Sequence, residues 1–420
     1  MGDSMSTIIN ATTTTGVVIQ PDNSGSLELQ TNNGTAALTI STAQDTTLAG
    51  KLTTASTGIQ FSDASTQTAA ASPYVLKNRI INGDMRIDQR NAGASVTQTN
   101  ANIYSVDRWQ SFGSQASKMT LQQSSTVPTV PTGFTKSLLI TSSSAYSITT
   151  SDIFIFRQQI EGLNFSDLEW GTANAKTVTL SFWVRSSITG TWGGSLYSTG
   201  GTQSYPFTYT ISTANTWQQI TITVAGPTTG GATTDNSSAA QVIFSLGTGS
   251  TNSGTANAWS GSVFYSATGA TSLVGTNAAT WYVTGVQLEI GTSATPFERR
   301  LFGNELVLCQ RYCSKTYDVG VAPGANNSAG CVVVGGSSNT ANNQQVDLRF
   351  KVSMRASPTV TGYLPSGTIN TFDFGRNGAA GNTTPTFDLI GENGCRVYAN
   401  VGAAWVSSSL AGHYIASAEL

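Results

Sequence analysis

Thr177-Val178-Thr179-Leu180-Ser181-Phe182-Trp183-Val184 sets Val178, Leu180, Phe182 and Val184 against Thr177, Thr179, Ser181 and Trp183, a strict two-residue alternation. A strand points successive side chains to opposite faces, so this octapeptide predicts a strand with one apolar face turned to a core. The same period recurs at Phe207, Tyr209 and Ile211, at Ile220, Ile222 and Val224, and at Val242, Phe244 and Leu246. A last strand is expected with Tyr282, Val286, Leu288 and Ile290 on its inner face. Branched and aromatic residues in short runs, separated by loops of Gly, Asn, Ser and Thr, predict an antiparallel sandwich over residues 73–300. Two sheets of four or five strands, wound as a jelly roll, would fit that length.

The flanks read differently. Residues 1–72 are rich in Thr, Ala, Ser, Asn and Gln, with apolar pairs at Val17/Ile19, Leu27/Leu29, Leu38/Ile40 and Ile59/Phe61, and Leu48 in the gap. A spacing of about ten residues predicts short strands, each too small to bury its apolar face alone. Three chains wound together would bury it; the other reading is a flexible tail with chance periodicity. After the sandwich comes the one convincing helix, placed at residues 301–316. Thr295-Pro296-Phe297-Glu298 could cap it, or it could begin near Gly303-Asn304 with Phe297 to Arg300 extended. Phe302, Leu306, Cys309 and Cys313 would share one stripe. Residues 317–420 predict a small β-domain. Val346, Leu348, Phe350, Val352 and Met354 alternate along its clearest strand, with shorter strands at Cys331–Val334, Ile369–Phe374, Arg396–Val401 and Tyr414–Ala418.

The chain has 420 residues, a net charge of −2, 39% hydrophobic residues and only 10% charged ones. A nucleic-acid partner would need a basic stripe that this balance does not supply. No apolar run is long enough to span a membrane as a helix. Met1 to Gly16 is polar and holds no apolar core of a secretory signal. Four cysteines, unevenly spread, do not form a disulfide framework, so synthesis and assembly are expected in a reducing host cytoplasm.

Several stretches carry a resemblance. Gly58-Ile59-Gln60-Phe61-Ser62-Asp63-Ala64-Ser65-Thr66-Gln67-Thr68 is similar to a motif that closes shaft segments of bacteriophage tail fibres, with Ala64 where that motif usually has Gly. Further on come Tyr74 to Val96, containing Asn78-Arg79-Ile80-Ile81-Asn82-Gly83-Asp84, and Tyr104-Ser105-Val106-Asp107-Arg108-Trp109. Thr295-Pro296-Phe297-Glu298-Arg299-Arg300 and Leu308-Cys309-Gln310-Arg311-Tyr312 complete the set. Together, over about residues 58–317, they resemble tail-fibre-like virion appendage proteins of tailed, especially marine, bacteriophages. The resemblance implies a jelly roll like those of carbohydrate-binding modules. It also implies a location on the virion, with the N-terminal segment attached to other virion proteins and residues 317–420 distal.

No stretch reads as an active site. Gly2-Asp3-Ser4 echoes one esterase block but lacks its preceding strand and its late Asp-x-x-His. Any Ser–His or metal–His chemistry would rest on the sole histidine, His413, whose place in a terminal strand favours a structural role. Cys309 and Cys313 could suggest a metal pair, yet without a nearby His they read as core thiols, and no cofactor is expected. A glycoside hydrolase would need two facing carboxylates, and Asp152, Glu161, Asp167, Glu169, Asp235, Glu289 and Glu298 offer no pair by spacing. Sugar binding needs aromatic faces among amide groups. Thr191-Trp192-Gly193-Gly194-Ser195-Leu196-Tyr197 reads as a loop presenting Trp192 and Tyr197, with Tyr205 beside it; Ala258-Trp259-Ser260-Gly261 with Phe264 and Tyr265 reads similarly. The competing reading makes Trp192 and Trp259 plugs over sheet edges. Basic residues at the domain junctions (Lys77, Arg79, Arg86, Arg90, Arg299, Arg300, Arg311, Lys315) would pair with Asp84, Asp88, Glu298 and Glu305 or sit in solvent.

The expectation is therefore an all-β virion protein: an intertwined N-terminal β-repeat segment, a jelly-roll-like sandwich, one linking helix and a small C-terminal β-domain. Its expected role is a homotrimeric tail fibre or receptor-binding protein touching host surface glycans, without enzymatic activity. The alternative is a head fibre, capsid decoration or baseplate/neck protein without receptor activity; a glycan-depolymerising tailspike ranks last.

Overall fold

The computed structural model describes residues 27–31, 35–40, 46–48, 59–60, 66–67, 77–124, 129–338, 343–376, 379–400 and 405–420. The chain divides into two compact units, Met1–Val75 and Leu76–Leu420. Its architecture is all-β, with antiparallel pairing in every sheet but one short parallel bridge and a single α-helix among the described residues.

In the first unit Leu27–Thr31, Thr35–Ile40 and Thr46–Leu48 form an antiparallel meander. Its register sets Leu27 opposite Ile40, Leu29 opposite Leu38, and Leu38 opposite Leu48. The ten-residue spacing is thus a strand-and-turn repeat that brings apolar positions into cross-strand pairs. Ile59–Gln60 pairs with Thr66–Gln67 in a short antiparallel hairpin. Val17, Ile19, Phe61 and Ala64 lie outside the described residues.

The second unit is built on a sandwich of two six-stranded sheets, one or two strands larger per sheet than the alternation predicted. One sheet runs Gln218–Val224, Val178–Ser186, Thr280–Ile290, Ser137–Ser142, Met119–Ser124, Val96–Thr97. The other runs Gln203–Ile211, Gly190–Ser198, Ser238–Thr248, Ile153–Glu161, Trp109–Gly113, Ile103–Val106. Val178, Leu180, Phe182 and Val184 are fully buried between them, as the opening octapeptide predicted. Aromatic residues fill the centre: Trp109 stacks on Phe156 at 4.9 Å, and Phe182 meets Phe244 edge-on at 5.0 Å. Such pairs add about 0.5–1.5 kcal/mol each beyond the area they bury.

The last sandwich strand departs from the simple alternation. Tyr282 lies on the outer side against Arg185 and Trp217, while Trp281 and Val283 face the core together with Val286 and Leu288. A register shift opposite Ser181–Trp183 makes this possible, with Gly285 at φ +63° inside the bulge. One extra residue reverses the parity of everything beyond it.

The motifs that carry the family resemblance meet in one joint beside this bulge. Asn78 and Gly83 extend the pairing of the last strand: Val286 donates its N–H to Gly83 and Leu288 to the Asn78 side chain, while Arg79 donates to the Leu288 carbonyl. Asn82 donates to the carbonyls of Ile87 and Asp107 and accepts from the Ile87 N–H. Arg300 bonds the carbonyls of Asn78 and Ile80 and pairs with Glu298 and Glu305. Junction bases are therefore largely paired within the chain, Arg86 with Asp84 and Arg311 with Glu161; Asp88 instead accepts the N–H groups of Asn91 and Gly93.

The helix runs Phe302–Gln310, preceded by extended Leu301 and without a side-chain cap. Thr295 is spent on Glu289, so the second of the two expected starts is the one formed. Cys313 lies on the strand Cys313–Lys315 and not on the helix stripe, and Phe302 is exposed. Cys309 packs with Ile81, Ile87 and Tyr312 in a small apolar cluster. Beyond it, Trp405–Ser417 pairs with Cys313–Lys315, Val332–Ser338, Thr359–Tyr363 and Phe372–Arg376; Asn343–Arg349, Gly394–Asn400 and Thr386–Gly391 form a second small sheet. The ladder of Asn343–Arg349 stops short of Met354, although Phe350 and Met354 are buried in step with Leu348.

Candidate functional site

The outer face of the sheet containing Gly190–Ser198 gathers the polar and aromatic groups. Cross-strand register fixes two adjacent rows there: Tyr197, Gln241, Gln159, and Ser195, Ile243, Arg157, Gln110, Tyr104. Each is flanked on its own strand by core residues, Leu196, Val242, Phe156 and Trp109 among them, so alternation itself turns these side chains outward.

Arg157 is the hub. Its Nε donates to Gln110 Oε1 at 2.7 Å, one terminal nitrogen to Gln241 Oε1 at 3.1 Å, the other to Asn102 Oδ1 at 3.4 Å. Gln241 donates onward to Gln159, and Gln110 to the Tyr104 hydroxyl at 2.9 Å. Gln110 and Gln241 are only 3% and 7% exposed, Arg157 and Tyr197 half-buried, and Asn102 open at the rim. The face is thus a partly buried layer of amides and a guanidinium, with Tyr197 at one end and, at the other, Tyr104, whose hydroxyl, like the Gln159 amide, donates to the Leu420 carbonyl. Amides and tyrosine rings in fixed orientation can hydrogen-bond sugar hydroxyls and support a pyranose face.

The sequence-predicted residues divide. Trp192 does not present a stacking ring: it is fully buried on the inner face of a strand, opposite Tyr209. The Thr191–Tyr197 stretch is strand, not loop, because each glycine admits a close neighbour. A Cβ on Gly194 would fall 2.4 Å from the Phe207 ring, and one on Gly193 would fall 2.3 Å from Ser266 Oγ. Trp259 packs edge-on to Trp170 at 5.3 Å and beside Tyr205 at 5.4 Å, its indole N–H bonded to the Ala225 carbonyl. It plugs the sandwich end, and Tyr205 is part of that plug. Tyr197 and Tyr265 stay half-exposed, and Tyr265 lies close enough to Arg157 to act on its charge. Sequence reading missed Arg157, Gln110, Gln241, Gln159 and Tyr104. Their signal was the polar half of the alternation, passed over because apolar residues define a strand's core face.

The carboxylates suggested as acids are engaged elsewhere. Asp152 is pulled down to about 2 by Ser114, Thr149 and Tyr146, which together outweigh its burial. Glu161 holds Arg311 and Tyr312, Asp167 holds Arg79, Glu169 holds Lys176, and Asp235 binds Ser237. Glu289 is bonded to Gln287 and Thr295, and Glu298 to Asn78 and Arg300.

His413 lies buried under Tyr317, the rings stacked at 3.7 Å. Its Nε2 is 2.8 Å from the Asn327 carbonyl and therefore carries the proton; Nδ1 accepts from Thr316 at 2.9 Å. Cys331 Sγ, 3.1 Å from Nε2, thus faces a donor and not a base. Burial also holds this imidazole below its ordinary pKa, which keeps it neutral. An open recess of about 280 Å³ in the small sheet of Asn343–Arg349, Gly394–Asn400 and Thr386–Gly391 is lined by Asp347, Arg349, Glu392 and Arg396 among others, none aromatic, and Arg396 is tied to Asp388.

No family model and no curated protein matches the chain. Among solved structures it is similar to the enzymatically active domain of tailspike protein 4 of Bacteriophage CBA120, at 14% identity and a TM-score of 0.27, over 52% of this chain and 22% of that one. It is similar to a structure described as CBM4 at 18% identity and a TM-score of 0.25, over 50% of this chain and 98% of that one. The family 11 carbohydrate-binding module of Clostridium thermocellum, with a mixed-linked tetrasaccharide, matches at 12% identity and a TM-score of 0.25, over 48% and 98%. The chain spans about a fifth of the tailspike's length and nearly all of the two modules.

Proposed function

We propose that the chain is a non-enzymatic glycan-binding component of a bacteriophage virion, a tail fibre or receptor-binding protein acting as a homotrimer on host surface glycans. The observation that carries the binding reading is the outward array of Arg157, Gln110, Gln241, Gln159, Tyr104 and Tyr197, fixed by register on a rigid sheet. Precise polar groups on strands need little ordering when a ligand arrives, which suits weak sugar contacts. The non-enzymatic reading is supported by the engagement of each acidic candidate in structural bonds. The virion location, with assembly in the host cytoplasm, rests on the resemblance carried by the joint motifs. Trimerisation through the N-terminal segment rests on the ten-residue repeat of apolar positions, which the register brings into cross-strand pairs.

Binding of the full chain to a host-polysaccharide and glycan array tests the reading. Tyr197→Ala should lower affinity about tenfold with unchanged stability. Trp192→Ala should instead unfold the sandwich at lower denaturant, by about 3–5 kcal/mol. A Tyr197→Ala protein that binds every array ligand like wild type would remove this face as the site.

A further inference from the structure

Arg157 carries a consequence for the kind of glycan, and it rests on the glycan-binding reading of the same face. All three of its hydrogen-bond acceptors are neutral amides, from Gln110, Gln241 and Asn102. By contrast Arg79, Arg90, Arg108, Arg300 and Arg311 each meet a carboxylate. Among the described residues no Asp or Glu forms an ion pair with Arg157; its electrostatic neighbours are the phenols of Tyr265 and Tyr104. Burial accordingly holds its pKa below the ordinary arginine value. Withdrawing a cation from water without a counter-charge is costly, and a ligand anion would relieve that cost.

The geometry suits such an anion. A guanidinium has five N–H groups, and the three amides take one from each nitrogen. One N–H therefore remains on each terminal nitrogen to donate to the oxygens of an acid group. Beside it the Tyr265 phenol is the polar partner for a hydroxyl of the same sugar ring, because the Tyr104 hydroxyl and the Gln159 amide already donate to the Leu420 carbonyl.

We propose that Arg157 receives the acid group of an anionic sugar, a carboxylate or a sulfate, so that the glycan recognised by this face is acidic.

The test uses the full chain and a panel of uronate-bearing, sialylated, sulfated and neutral glycans. The tightest ligand is then compared with its own carboxyl-reduced or desulfated form, which separates the two sources of charge. The acidic parent should bind about tenfold or more tightly than its neutralised form, and added salt should narrow the gap. Arg157→Gln should abolish the preference for the acidic parent over its neutralised form, and Arg157→Lys should retain part of it. The proposal is overturned if wild type binds the neutralised form as tightly as the parent, or if Arg157→Gln keeps the preference. Binding of neutral glycans alone would sink the acidic assignment and leave the glycan reading standing. Binding of no glycan at all would sink both.

Discussion

Asp107 shows how one buried group ties the joint to pH. Its two oxygens accept from the Gln89 backbone and side chain, and Arg90 stands 3.6 Å away. Even so, burial pushes its pKa up to about 6, against an ordinary 3.8, outweighing the attraction of Arg90 and the two bonds from Gln89. From about pH 4 to 6 the folded chain holds a proton that the unfolded chain has released. Stability from this group is thus present at the acid end and is lost as pH rises through the folded pKa. Relative to Asp107→Asn, wild type should lose on the order of 2–3 kcal/mol of unfolding free energy between about pH 4 and 7. Denaturant titrations of both proteins at several pH values check this, and a constant difference would refute it. Nothing in Tyr104-Ser105-Val106-Asp107-Arg108-Trp109 announces that environment. Its partners, Gln89 and Arg90, come from an earlier turn, and Glu419 reaches Arg90 from far along the chain, whereas Trp109 declares itself by its place in an alternating run.

At the scale of elements, strands with a clean period were legible because one face had to be apolar. Val178–Ser186 and Ser238–Thr248 are examples. Two kinds of element were not. The bulge at Gly285 shifts the period inside one strand, so Tyr282 was placed on the wrong side. Thr191 to Tyr197, inside the strand Gly190–Ser198, reads from sequence as a loop since two adjacent glycines normally punctuate turns. Here they relieve crowding on both faces, with the Phe207 ring beneath Gly194 and the 266–270 loop above Gly193. That error moved Trp192 outward and hid the strand's pairing with Gln241, and with it the polar layer. Gly194→Ala follows as a discriminating substitution. A true loop would accept it within a few tenths of a kcal/mol, whereas this strand must displace Phe207 or the Ile243 backbone, costing about 1–3 kcal/mol. A shift in the urea midpoint with unchanged slope would register it; no shift would mean that the strand packs more loosely than described.

For the whole molecule the decisive quantity is the number of copies. On the proposed reading, a single face with one guanidinium, several amides and two or three tyrosines would bind a sugar only weakly. A fibre holding three such faces turns later contacts into intramolecular ones, raising avidity by about 10²–10⁴ when spacing permits simultaneous engagement. The first unit is where that coupling would arise, since its ten-residue repeat sets Leu27, Leu29, Leu38, Ile40 and Leu48 in cross-strand register along one meander. The full chain should therefore sediment as a trimer, and residues 77–420, which carry their own core, as a monomer. Both should bind a soluble monovalent oligosaccharide with the same affinity. On a glycan-coated surface the full chain should dissociate at least about a hundredfold more slowly. A monomeric full chain would refute the trimer. A trimer with no surface advantage would mean that its three faces cannot reach one surface together, which favours a structural place on the particle over a receptor-binding one.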